Sequence, residues 1–203
     1  MTDELLSRFG QIDIYLFDQL LRGRVRPGMR VLDAGCGGGR NLVYLLHQGY
    51  DVSAVDADAS AVASVRRLAR ELGPGLPDDH FRVEAVEAMS FAEASFDVVI
   101  SSAVLHFARD DRQFDAIVRG MWRVLAPAGI LFCRLASTIG IESRVRTIEG
   151  RRHRLPDGSD RYLVDEPMLV DLTTGLGGRM LDPLKTTVVQ DQRAMTTWVV
   201  QKA

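Results

Sequence analysis

Residues 30 to 41 read Arg-Val-Leu-Asp-Ala-Gly-Cys-Gly-Gly-Gly-Arg-Asn, and the rest of the chain is arranged about them. The apolar run of Met29, Val31 and Leu32 predicts a buried strand. It stops at glycines that can take positive φ and let a ligand approach the backbone closely. Behind them, Asn41 to Gln48 has helical spacing. Strand, glycine turn and helix in that order predict a nucleotide-type site, because free N–H groups there face an electronegative ligand edge. A dinucleotide fingerprint starting at Gly35 needs a glycine at position 40, where Arg40 stands. The Gly-Lys-Ser/Thr of a phosphate loop is absent. What remains is acid-x-Gly-x-Gly-x-Gly, Asp33 through Gly35, Gly37 and Gly39; the plainer reading is a tight turn that holds no ligand.

A second acid falls at a telling distance. The strand Asp51 to Asp56 ends 21 residues after Gly35, close to the roughly 20 at which a strand-2 carboxylate meets ribose hydroxyls. Asp56 is therefore the expected ribose ligand, since Asp58 and Ser60 are better placed to cap the helix that follows. That helix, Ser60 to Leu72, is amphipathic through Val62, Val65, Leu68 and Leu72. Gly73, Pro74, Gly75 and Pro77 then mark a surface connection to a short strand at Phe81 to Ala85. Phe96 to Ser102 is nearly all apolar and β-branched, as a central parallel strand buried on both faces should be. From Asp110, the positions Phe114, Ile117, Val118, Met121, Trp122 and Leu125 trace one helical stripe that stops before Pro127. Gly129 leads into the strand Ile130 to Leu135.

These stretches together resemble the class I S-adenosylmethionine-dependent methyltransferases over residues 27 to 136: the acid-and-glycine motif, Phe-Asp-x-Val-x-Ser at 96 to 101, Val-Leu-His at 104 to 106, and Leu-x-Pro-x-Gly at 125 to 129. The likeness is nearest to small bacterial enzymes of the tellurite-resistance type, on Gly39-Arg40-Asn41 and Gln48-Gly49-Tyr50-Asp51-Val52. It implies S-adenosyl-L-methionine as cofactor, with Asp33 toward the methionine amine, Gly35 and Gly37 making room for methionine and ribose, Asp56 on the ribose and Ala57 on the adenine face. A carbonyl near Ser101 would receive the amine. Residues 85 to 91 match the family's adenine-binding turn, except that Ala85 replaces the acid that usually holds adenine N6. Val86 backbone groups and the Glu87 side chain are then left to hold that edge. His106 is the candidate to orient a substrate or accept its proton; a histidine that is merely hydrogen-bonded is the alternative.

The resemblance also implies an α/β doubly wound, mostly parallel seven-stranded sheet, order 3-2-1-4-5-7-6, with strand 7 antiparallel and cap helices over the cleft. The sequence has partners for this plan. Residues 3 to 22 carry two helical pieces broken near Gly10, within a cap region of residues 1 to 26. A helix is expected from Asp165 to Leu176, and strands at Leu184 to Gln190 and Met195 to Val200. Residues 137 to 164 break the rhythm. Arg144, Arg146, Arg151, Arg152, His153 and Arg154 crowd a stretch with little apolar periodicity, expected to be a mobile lid on the substrate side. Arg151 and Arg152 are its candidate contacts for an anionic acceptor, because guanidinium forks bind oxyanions; a solvated surface loop is the other reading.

Composition sets outer limits. With 203 residues, 46% hydrophobic and 26% charged, the chain reads as one globular domain, 1 to 203. A net charge of -2 gives no bulk attraction to nucleic acid or anionic membrane; the small-molecule substrate is what the resemblance implies. The opening Met-Thr-Asp-Glu-Leu has no signal-peptide pattern and no apolar run is long enough to span a membrane, so a cytoplasmic location is expected. Cys36 and Cys133 have no metal spacing, and no metal site is expected. An enzyme of methyl transfer to a small molecule is the first reading. A non-catalytic S-adenosylmethionine-binding partner or regulatory domain is the second.

Overall fold

A computed structural model describes residues 2–73 and 75–203; Pro74, within the expected surface connection, lies outside them. The core strands are β1 (Arg30–Ala34), β2 (Asp51–Asp56), β3 (Phe81–Val83), β4 (Phe96–Ser102) and β5 (Leu125–Ser137). They lie side by side in the order 3-2-1-4-5, all parallel. The long last strand, β11 (Arg193–Lys202), runs antiparallel to β5, and β10 (Lys185–Val189) pairs beyond it. This is the expected order, strands six and seven being β10 and β11. One piece is additional. β9 (Gly178–Met180) pairs with the far end of β11, so β9 and β10 share one edge, interrupted at Asp182 and Pro183. Proline cannot donate to the ladder and breaks pairing there.

Helices cover both faces. α1 (Thr2–Phe9), α2 (Ile14–Leu21), α3 (Val43–His47) and α4 (Ala59–Leu72) lead to the first half, α5 (Asp111–Val124) and α6 (Glu166–Gly175) to the second. Their starts follow from capping: Asp13, Asp58, Asp110 and Asp165 each accept a backbone N–H of the first turn. The apolar side chains divide into one cluster around Val99, Met121 and Trp198 and another around Leu45, Val65 and Ile100, one on each sheet face. Alternation along β4 achieves this, Val99 going one way and Val98 and Ile100 the other. Phe9 stacks on Tyr44 at 5.3 Å and Phe17 meets both rings edge-on, which docks the two cap helices on α3.

Residues 137 to 164 contradict the expected loop. They contain a second, three-stranded antiparallel sheet of β6 (Arg146–Glu149), β7 (Arg152–Arg154) and β8 (Asp160–Tyr162). Buried Ile141, Leu155 and Leu163 anchor it against Ala136 and Ala194 of the main sheet. Tyr162 is buried, stacked on Phe114 at 4.7 Å and bonded through its hydroxyl to Asp111. These strands are short and mostly polar or charged, with Tyr162 alone buried, so apolar alternation is absent and the pattern reads as loop.

No helix among the described residues is long and apolar enough to cross a membrane.

Candidate functional site

The C-terminal ends of β1, β2 and β4 open on a cavity of about 520 Å³. Its floor is the glycine turn. Gly35 and Cys36 donate their N–H groups to Val55 O at 2.9 and 3.0 Å, tying the turn to β2. Gly35 is at φ +83°, and a Cβ there would lie 2.4 Å from Val104 Cγ2, so any side chain would collide with the β4 exit. Asp56 reaches back across the turn. Its Oδ2 accepts Gly37 N–H and its Oδ1 accepts Asp58 N–H, both at 2.9 Å. Each oxygen keeps further acceptor capacity, and Asp56 lines the cavity together with Ala57, Val86 and Glu87.

Asp33 stands beneath this floor, 1% exposed, with neither carboxylate oxygen bonded to any described group. Burial pushes its pKa up to about 7; Arg40 pulls it down and Asp56 adds to the rise. A buried, unpaired carboxylate is costly, and such a group marks a place built for a donor or a cation. Ser101 is buried behind the cavity with its hydroxyl also unpartnered, while the lining at the β4 end comes from Ser102 and Ala103.

The adenine-turn candidates lie on the short helical turn Val86–Ala88. Glu87 accepts a bond from Gln113 Nε2 at 2.8 Å, which orients its carboxylate along α5. Gly120 of α5 permits this approach, since a Cβ there would be 2.6 Å from Val86 O. Ala85 is outside the cavity lining.

Arg40 and Asn41 form the opposite rim. Arg40 donates to Ser102 Oγ at 2.8 Å, and Asn41 Oδ1 accepts the Asp13 N–H at 3.0 Å. Asp13 is buried and also meets Arg134 at 3.1 Å. The start of α2 is thereby pinned to the cavity edge. Tyr15 points away from the cavity, with its hydroxyl on Thr187 and its ring under Arg134.

A second cavity of about 270 Å³ begins where the first ends, sharing Ala103 with it. Ala103 is held at φ +65° by its N–H bond to Arg134 O, a conformation that an L-residue adopts only under constraint. His106 lines this second cavity, together with Asp157, Ser159, Arg161 and Arg193. His106 is buried, and burial with Arg161 nearby lowers its pKa to about 4. Its Nδ1 accepts the Ala136 N–H at 3.3 Å, so the neutral ring carries its proton on Nε2. The ring therefore offers the cavity an N–H donor, and its basic nitrogen faces the backbone.

The two arginines singled out in the sequence are engaged elsewhere. Arg151 pairs with Asp165 at 2.9 Å, and Arg152 bonds the Ala108 carbonyl at 3.3 Å; neither lines either cavity. Arg161 and Arg193 carry no local sequence signal, because they meet only when Leu155 and Leu163 pack against Ala136 and Ala194 of the main sheet. Among the described residues no group of three or more His, Cys, Asp or Glu is placed to hold a metal ion.

Residues 32–133 match the model of a family described as "Methyltransferase domain". An uncharacterized methyltransferase, sll0829, of Synechocystis is 34% identical over 106 residues, 52% of this chain and 46% of that one. A malonyl-[acyl-carrier protein] O-methyltransferase of Enterobacter lignolyticus is 37% identical over 142 residues, 68% of this chain and 51% of that one. The chain thus spans about half the length of these curated relatives. A crystal structure of a Burkholderia thailandensis 1,6-didemethyltoxoflavin-N1-methyltransferase, with 1,6-didemethyltoxoflavin and S-adenosylhomocysteine bound, covers 100% of this chain and 86% of its own at a TM-score of 0.70. At 21% identity that likeness is one of fold.

Proposed function

The chain belongs to the methyltransferase-domain family, and on that premise we propose that it transfers the methyl group of S-adenosylmethionine to a small-molecule acceptor. The observation that carries this reading is the pairing of Asp56, already fixed by Gly37 and Asp58 with a lone pair free on each oxygen, with the unpartnered carboxylate of Asp33. A vicinal diol suits the first and an ammonium the second. The residues present fit the cofactor on those grounds.

When bound, the cofactor supplies a methyl group on a sulfonium, ready for in-line displacement. The chain's part is positioning. Asp56 holds the ribose, Asp33 the amine with Gly35 and Gly37 leaving it room, Ala57 lies on the adenine face, and the Val86 backbone with Glu87 takes the adenine edge. The Ser101–Ser102 strand end supplies carbonyl acceptors for the amine. His106 orients the acceptor through Nε2–H; its proton-free nitrogen is turned from the cavity, and an acceptor already nucleophilic needs no base. The sheet of residues 137 to 164 roofs the acceptor side, with Arg151 and Arg152 securing that roof on Asp165 and Ala108.

Calorimetry with S-adenosylhomocysteine tests the assignment. Asp56→Ala should weaken binding by about 1–3 kcal/mol, the cost of removing a hydrogen-bonding partner of this kind. Wild-type protein that fails to bind, or an alanine variant that binds equally well, removes the basis of the reading. Turnover of a labelled methyl group onto any acceptor separates an enzyme from a binding domain.

A further inference from the structure

The second cavity is built for an anion. Arg161 and Arg193 both line it, and among the described residues neither forms an ion pair. Arg161 spends one nitrogen on the Asp160 carbonyl at 2.8 Å and places its Cζ over Phe107, 4.9 Å from the ring centre. That fixes the guanidinium while leaving further N–H groups free. Asp157 is the one carboxylate of the lining; its Oδ1 accepts Ser159 N–H and O–H at 2.9 and 2.6 Å, and these bonds, with Arg161 and Arg193 nearby, hold its pKa below the usual carboxylate value, so it offsets one of the two guanidinium charges without an ion pair to either. Two guanidinium groups, one carboxylate and a neutral imidazole leave the cavity with one net positive charge. A monoanion balances this; a dianion does not.

We propose that this cavity holds the carboxylate of a monoanionic acceptor between Arg161 and Arg193, with His106 Nε2–H as a third donor, and that the remainder of the acceptor passes Ala103 into the cofactor cavity. The assignment rests on the methyl-transfer reading and names its substrate class. Phe107 supports the route, because it lines the cofactor cavity, is 59% exposed, and carries Arg161 of the second cavity on its ring. An aromatic or unsaturated acceptor would lie along that ring. Arg161 and Arg193 come from β8 and the first residue of β11, so the anion site forms only when the small sheet is seated. They are positioning residues for the acceptor.

The test uses benzoate as the probe, benzamide as its neutral counterpart and phenyl phosphate as the dianion, each titrated into the full chain saturated with S-adenosylhomocysteine. Arginine Nε–Hε resonances are followed by NMR, those of Arg161 and Arg193 being identified by Arg161→Lys and Arg193→Lys. Benzoate should shift both resonances, benzamide should not, and phenyl phosphate should bind no more tightly than benzoate. Arg193→Gln, at an exposed site where folding is not at stake, should weaken benzoate binding tenfold or more while leaving S-adenosylhomocysteine affinity within twofold. Unmoved resonances, equal effects of benzamide, tighter binding of phenyl phosphate, or unchanged benzoate affinity in Arg193→Gln would each overturn the proposal. Repeating the titration without S-adenosylhomocysteine keeps the two readings apart. Benzoate binding by a chain that never binds S-adenosylhomocysteine sinks the cofactor reading and leaves the carboxylate site standing.

Discussion

Asn in place of Asp33 should expose two opposed pH dependences that nearly cancel in the natural chain. Asp33 has its pKa raised from 3.8 to about 7 by burial, so between those values the folded protein binds more protons than the unfolded chain. Stability from this group is therefore full below pH 3.8 and falls as pH rises through 7, by about 4 kcal/mol over roughly three pH units at about 1.4 kcal/mol each. His106 runs the other way. Its pKa is lowered from 6.5 to about 4, the folded protein binds fewer protons in that interval, and stability rises with pH by about 3 kcal/mol. The natural chain should then change by only about 1 kcal/mol between pH 4.5 and 7. Asp33→Asn removes the falling limb and should show a rise of about 3 kcal/mol over the same range; His106→Gln should show the fall alone. Carboxylates with lowered pKa values, such as Asp97, lose their contribution only below this window. Urea unfolding at half-unit pH steps measures the effect. Asp33→Asn with a profile parallel to the natural chain would refute the buried-carboxylate argument. A natural chain whose profile is unaltered by saturating S-adenosylmethionine would instead refute the placement of the cofactor's ammonium on Asp33, which should abolish the falling limb.

Three further outcomes follow from the geometry. Gly120→Ala should weaken S-adenosylhomocysteine binding more than fivefold, because the new methyl lies 2.6 Å from Val86 O and must push the adenine turn away; thermal unfolding checks that the helix survives. Ala128→Gly should raise unfolding free energy by up to about 1 kcal/mol, since Ala128 sits exposed at φ +59°, where a Cβ is strained; equal or lower stability in urea counts against it. Arg151→Ala should loosen the roof by deleting the pair to the α6 cap, read as faster amide exchange across β7 and β8, with cofactor affinity unchanged. Exchange confined to the substituted residue would show the pair to be decorative.

The glycine turn and the strands that frame the first cavity were legible in residues 30 to 102 because each signal there is local. A buried parallel strand must be apolar throughout, its exit turn needs glycines at φ +83° and +50°, and a carboxylate at the end of the next strand is two elements away by chain length alone. Alternation of strands and helices gave the doubly wound class, while the order of the main sheet came from the family resemblance and is the order observed. Aspartates likewise marked the starts of α4, α5 and α6, whereas the Asp13 cap of α2 emerged only in the structure. What the sequence alone left undecided is everything that depends on segments distant in the chain meeting. The roof of residues 137 to 164 is a sheet only because Leu155 and Leu163 find Ala136 and Ala194, and its short charged strands carry no period of their own. His106 turns its basic nitrogen inward because the Ala136 amide, 30 residues on, claims it. Arg151 and Arg152 are drawn to the α6 cap and a backbone carbonyl, while Arg161 and Arg193, 32 residues apart, are brought to one cavity by the packing of Leu155 and Leu163 against Ala136 and Ala194. Charge in a sequence says how many guanidinium groups there are; which of them face a ligand is settled by packing, where each finds or fails to find a partner.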